Sequence, residues 1–289
     1  MKYVHFEASG MLAGLATMLE CCGCDTEDYQ IAFGMNAPWL FLQDNDHFIA
    51  GQGLYTPRWM NLYLQSLGFR LLETTLPKEE VPAFLRLHHP AMLRLSFDHG
   101  NCHPAVCTAY ESSRYHFANV KTQDSLEADA LSLSRSMLLR RLDDTVNILT
   151  LDSRPAESAD FIPLLVQSLH TLTAYEHAIL EACTRTVTRE DLNALRTPLL
   201  RALLVDMLPM ALLLQEPVLY EELRLLNHDY RHIFTQNTPA TVELWDRLPR
   251  NSIRECLAWL RENIVDRLYD LGLTDEEVDE ALRQCRGFQ

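Results

Sequence analysis

Three residues of this sequence have side chains of the kind that move acyl groups, and their order is informative. Ser9, followed by Gly10, stands where a long apolar helix begins. The first N–H groups of a helix have no intrahelical partner, and the helix dipole adds positive potential there. A nucleophile at that place meets donors suited to a developing oxyanion. The plainer alternative is that Ser9 is an N-cap, the usual reason for a serine before a helix. His103 opens the run His103-Pro-Ala-Val-Cys-Thr-Ala-Tyr110, and Asn119 closes the run Tyr115-His-Phe-Ala-Asn119. A nucleophile, then a His base, then an amide that orients the imidazole is the order of a cysteine-peptidase type of triad.

Strand pairing constrains that arrangement. If Tyr110 pairs directly with Tyr115 across Glu111-Ser112-Ser113-Arg114, His103 and Asn119 fall on opposite faces of the hairpin. A loop one residue longer, or a bulge, returns them to one face, and so does an Asn119 lying just beyond the paired region. Without one of these, Gln123 or Asp124 is the fallback partner for His103. His5 lies close enough in sequence to serve an oxyanion, with a structural role as its default.

The remaining candidates read as structural. Cys21-Cys22-Gly-Cys24 lacks a second ligand pair at zinc-finger spacing, so buried or partly buried thiols at a helix end are expected. Cys102 and Cys107 flank the His103 strand as packed residues. His88-His89 reads as a helix end where positive charge suits the dipole. His228 and His232 share a helical face but lack a third ligand, so neither metal nor cofactor is expected. Asp275, Glu276, Glu277, Asp279 and Glu280 lie at a helix start, where negative charge is stabilising without a partner.

The elements that must position these residues change character along the chain. Ala8–Cys22 has apolar residues at helical period, with Gly10, Ala13, Gly14 and Thr17 forming a second face able to pack very closely. Thr56-Pro57 starts a helix and Gly68 stops it. Strands follow at Phe69–Thr75, Ala91–Phe97, His103–Tyr110, Tyr115–Val120 and Thr145–Leu151, with helices at Pro77–Leu87 and near Ser125–Leu139. The polar and aromatic stretch Asn36–Trp59 is either a substrate-binding loop over a cleft or a packed connection. Beyond Asp152 everything reads as helix: Ala159–Thr184, Arg189–Leu214, Pro217–Phe234, Ala240–Leu271 and Thr274–Cys285, the last opened by the capping box Thr274-x-x-Glu277. The expected fold class is α+β for residues 1–152, followed by an all-α domain over 153–289.

Composition narrows the function. The 289 residues carry 25 Lys+Arg against 40 Asp+Glu, a formal net charge of −15. Such a chain repels nucleic acid and anionic lipid. No apolar run reaches a membrane span and no signal peptide is visible, and eight cysteines in a chain this long are not a disulfide framework. A cytoplasmic protein with reduced thiols is the expectation, and the apolar stripes of the helical half suit a homodimer.

Over roughly Val4–Leu151 the sequence resembles the papain-like fold of bacteriocin-processing peptidases, and more closely the N-terminal domain family of butirosin-biosynthesis protein H. The resemblance rests on His5-Phe-Glu-Ala-Ser-Gly-Met-Leu-Ala-Gly-Leu-Ala-Thr-Met-Leu-Glu-Cys-Cys-Gly23, then Phe33-Gly34, Gly68-Phe-Arg-Leu-Leu-Glu-Thr-Thr, Pro90-Ala-Met-Leu-Arg-Leu and the His103 to Asn119 block. The helical half looks like the companion domain often attached to it.

The resemblance implies acyl transfer. A Cys takes an acyl or aminoacyl group from a carrier-protein thioester and passes it to an amine. In the peptidases the same groups cut a peptide. Here the matching position holds Ser9, preferred because Ser9-Gly10 matches the peptidases' Cys-Gly; aligned on the butirosin type's His-Cys pair, Phe6 would stand there and abolish the nucleophile. Ser9 is then a native nucleophile, the mark of a retired enzyme, or a replacement for a Cys. The implied roles are acylation at Ser9, general base and acid at His103, and orientation by Asn119. The partners would be an acyl thioester donor, an acyl carrier protein among them, and an amine acceptor. An acidic carrier would need an Arg patch such as Arg135, Arg140 and Arg141. A peptidase or amidase with the same triad, and a catalytically inactive papain-like binding protein, are the alternatives.

Overall fold

In the computed structural model, residues 10–45, 47–97, 102–120, 129–182 and 250–286 are described, with short pieces at 197–199, 202, 217–218 and 221. The chain divides into two compact units: Met1–Met35 with Tyr55–Ala159, and Asn36–Leu54 with Asp160–Gln289. The first is α+β. The segment Asn36–Leu54, expected within the N-terminal domain, belongs with the helices.

The first unit is built on a six-stranded sheet in the order β3-β8-β4-β5-β6-β7. Its strands are β3 (Phe69–Pro77), β4 (Ala91–Ser96), β5 (Cys102–Glu111), β6 (Arg114–Val120), β7 (Asp129–Leu133) and β8 (Thr145–Ser153). Every neighbouring pair is antiparallel. Strand alternation divides the side chains between two faces. One face carries Ala91, Leu93, Leu95, Ala105, Cys107, Phe117 and Ile148 and forms a core with Val81 and Leu85 of α4 (Val81–Leu87) and Leu138 of α5 (Arg135–Leu139).

The opposite face receives α1 (Gly10–Cys21), all but enclosed: Leu12, Leu15, Met18 and Leu19 are fully buried. The small-residue stripe lies against the sheet as its composition requires. A Cβ on Gly14 would fall on the Met92 sulfur, and one on Gly10 would stand 3.4 Å from Pro104. α2 (Asp28–Gly34) packs beside α1, and α3 (Pro57–Ser66), with Thr56 at the N-cap position and Pro57 in its first turn, lies along β3. It ends before Gly68, whose φ of +74° suits glycine.

The helix expected near Ser125–Leu139 is a correction. Among the described residues of that stretch, Asp129–Leu133 is strand β7 and only Arg135–Leu139 is helical. Leu131 and Leu133 alternate into the core with a period of two, while Ser132 between them is held by Arg114. Ser134 then caps the short helix through the Met137 N–H.

In the second unit, β1 (Phe41–Asp44) and β2 (His47–Ala50) form a hairpin that packs on α6 (Ile162–Ala182). The rings of Phe41 and Phe48 lie 4.8 and 5.0 Å from Tyr175. The buried Ser168 hydroxyl accepts from the Phe41 N–H and donates to the Leu164 carbonyl. α7 (Arg250–Asp270) and α8 (Asp275–Arg286) complete the described part. The capping box at Thr274 forms, with the Glu277 carboxylate accepting from the Thr274 N–H at 2.8 Å. The helices expected at Arg189–Leu214 and Pro217–Phe234 lie almost wholly outside the described residues. Among the described residues no helix is long and apolar enough to cross a membrane.

Candidate functional site

α1 begins at Gly10 directly over Pro104 of β5. Pro104 pairs with Arg94 on β4, so both belong to the α1 face. Met92 and Leu149, paired with each other, and Glu73, paired with Leu149, continue that face toward β3. Between these side chains and the starts of α1 and α3 opens a cleft of about 480 Å³, lined by Met11, Thr56, Pro57, Glu73, Met92, Arg94, Pro104, Asp143, Thr145 and Asn147 among others. Met92 is buried and makes an apolar floor, while Arg94 and Glu73 are exposed to the opening. At its far end the Thr75 hydroxyl donates to Asn147 at 2.7 Å, and Lys78 pairs with Asp144.

His103 stands on the other side of the sheet. It pairs with Leu95, a fully buried core residue of the α4 and α5 face, and its ring lies 6.1 Å from Phe97. Phe97 is itself covered by the Arg141 guanidinium, 4.6 Å from its ring, and Arg141 donates to the Ser96 carbonyl at 3.2 Å. His103 is therefore not among the groups lining the cleft at the start of α1.

The hairpin that carries His103 turns through Ser112 and Ser113, both with positive φ, as a two-residue turn matching strand twist requires. Tyr110 pairs with Tyr115, and the register then shifts between Cys107 and Ala109. That is the bulge needed to bring positions 103 and 119 into one parity. A second shift, between Phe117 and Val120 against β7, spans position 119. Ser9, His5, Phe6, Gln123, Asp124, His228 and His232 lie outside the described residues.

Of the three thiols expected to be buried or partly buried, Cys24 is half-buried, while Cys21 and Cys22 are exposed, a correction to that expectation. α1 ends at Cys21, and Gly23 with a φ of +84° turns the chain outward there. Desolvation, and then the neighbouring Cys22, raise the Cys21 thiol pKa. On the α1 face the Cys102 thiol and Ser96 hydroxyl are 3.2 Å apart. His88 caps α4 with its ring 4.4 Å from Phe84. Arg141 is engaged by Phe97 and Ser96, so Arg135, Arg140 and Arg141 do not form a uniform free patch. Among the described residues no group of three or more His, Cys, Asp and Glu could hold a metal ion.

Sequence reasoning passed over Arg94, Glu73 and Asn147. A signal for Arg94 was present: a charge inside the apolar run Ala91-Met-Leu-Arg-Leu of a central strand. Glu73 and Asn147 carried none, because their approach to Arg94 depends on β8 inserting between β3 and β4. No family model matches this chain, and no curated protein matches it.

Proposed function

We propose that this chain is a binding protein whose α+β unit, papain-like in outline, holds a small ligand in the cleft at the starts of α1 and α3. One observation carries this reading: the cleft and α1 lie on one sheet face, while His103 lies on the other beside Phe97 and Leu95. A base must come within hydrogen-bond reach of the proton it takes, and here the sheet lies between His103 and the face that carries α1 and the cleft. A cytoplasmic setting belongs to the same proposal, supported by Cys21, Cys22, Cys24, Cys102 and Cys107 being free of disulfides.

Acyl transfer from a thioester donor to an amine, or hydrolysis by the same groups, is the second reading. The bulge between Cys107 and Ala109 favours it, because it puts position 103 in the same parity as Phe117, two residues before Asn119. Intact-protein mass spectrometry with candidate acyl thioesters separates the two. Binding alone predicts no His103-dependent adduct on the native chain or on Ser9→Cys. An adduct on Ser9→Cys that disappears in Ser9→Cys/His103→Ala establishes the enzyme instead. Occupancy is read independently by NMR of the Met11 and Met92 methyl groups during a small-molecule screen, with shifts expected at both.

A further inference from the structure

We infer that the cleft takes a zwitterion about two peptide units long, its carboxylate on Arg94 and its ammonium toward Glu73. This rests on the proposal that the cleft is a ligand site. Arg94 is the one basic residue among the described lining residues, and its guanidinium offers the planar fork that matches a carboxylate. Two carboxylates, Glu73 and Asp143, line the same opening, which disfavours a dianion such as a phosphate ester and leaves room for a compensating cation.

The register separates these charges by a usable distance. Glu73 lies across β8 from Met92, and Arg94 is two residues farther along β4. At about 4.8 Å per strand and about 3.3 Å per residue, their Cα atoms are roughly 12 Å apart. Side chains standing roughly perpendicular to the sheet would keep that separation between their charged ends, and a dipeptide, at most about 7 Å between termini with a hydrogen bond of about 2.8 Å at each end, spans it. Met92 and Leu149 lie between the two charges and would support an apolar side chain. Glu73 is the better ammonium partner than Asp143, which lies beyond the end of β8 and next to the Asp144 held by Lys78.

Calorimetric titration of the full chain with Ala-Phe, N-acetyl-Ala-Phe, Ala-Phe amide and phenyl phosphate tests this. Ala-Phe should bind at least about tenfold tighter than either blocked form, and phenyl phosphate weakest. Arg94→Gln should abolish the preference for free acid over amide, and Glu73→Gln the preference for free amine over N-acetyl. Asp143→Asn should change affinity less than about threefold. Both cleft residues are exposed, so unchanged melting should accompany these losses. Equal affinity for the three peptides, tighter phenyl phosphate, no binding by any dipeptide, or preferences that survive Arg94→Gln and Glu73→Gln overturn the inference. If the Met11 and Met92 methyl groups still shift with some other compound, the binding function stands and only the charge assignment fails.

Discussion

Cys107 is buried in the layer between the sheet and its α4 and α5 cover, and its thiol reaches the Ala109 carbonyl across the bulge at 3.7 Å. Burial pushes this thiol from 9.0 up to about 12. Between those values the unfolded chain releases the proton while the folded chain keeps it. Stability therefore falls as pH rises from about 9 toward 12, with a slope near 1.4 kcal/mol per unit for one proton, discounted for incomplete burial. Urea titrations at pH 8, 9.5 and 10.5 should show a steeper alkaline loss in the native chain than in Cys107→Ala, whatever the cavity cost of the substitution at pH 8. Single residues also show where sequence reading stops. The type and order of His103 were legible, but the face it occupies is set by pairing with Leu95. Conversely Arg94 stood in plain view as a charge in a strand, and only the cleft gives it a role.

β3 is an edge strand with backbone groups directed away from the sheet, an invitation to unwanted pairing. Asn61 of α3 answers it at one position. Its side-chain oxygen accepts from the Leu71 N–H at 2.6 Å and its amide donates to the Leu71 carbonyl at 3.0 Å, reproducing the two bonds a further strand would make. Leu71 is only 2% exposed, so water does not readily replace these bonds. Asn61→Ala should cost about 1–3 kcal/mol in chemical denaturation, and sedimentation should show more self-association. Asn61→Asp retains the acceptor, loses the donor and should fall between. Local elements with strong end signals were legible: Thr56-Pro57 and Gly68 around α3, and Thr274 with Glu277 at α8. The bulge between Cys107 and Ala109 was not, because it depends on which neighbours each half of β5 pairs with. β7 was missed because its two core leucines sit beside a true helix start at Ser134.

The two units are not consecutive pieces of chain, since Asn36–Leu54 leaves the α+β unit to pack with helices that follow residue 160. Composition marked the change near residue 152 but could not reveal this excursion, whose partners lie more than a hundred residues downstream. Arg267 of α7 fixes the segment's start: its Nε donates to the buried Asn36 side chain at 2.7 Å, and its guanidinium lies 4.9 Å from the Trp39 ring centre. Arg267→Ala should lower stability by roughly 1–3 kcal/mol in denaturation followed by tryptophan fluorescence, and Arg267→Lys should recover less than half, because an ammonium lacks the planar fork. Synthesis proceeds from the N-terminus at about 5–20 residues per second. The ribosome therefore finishes the β1–β2 hairpin roughly 10–40 s before Arg267 is added, and until α6 emerges Phe41 and Phe48 have no Tyr175 to meet. A newborn chain thus carries the apolar face of this hairpin uncovered until α6 is made, and chaperone demand should follow the time taken to translate the residues between them.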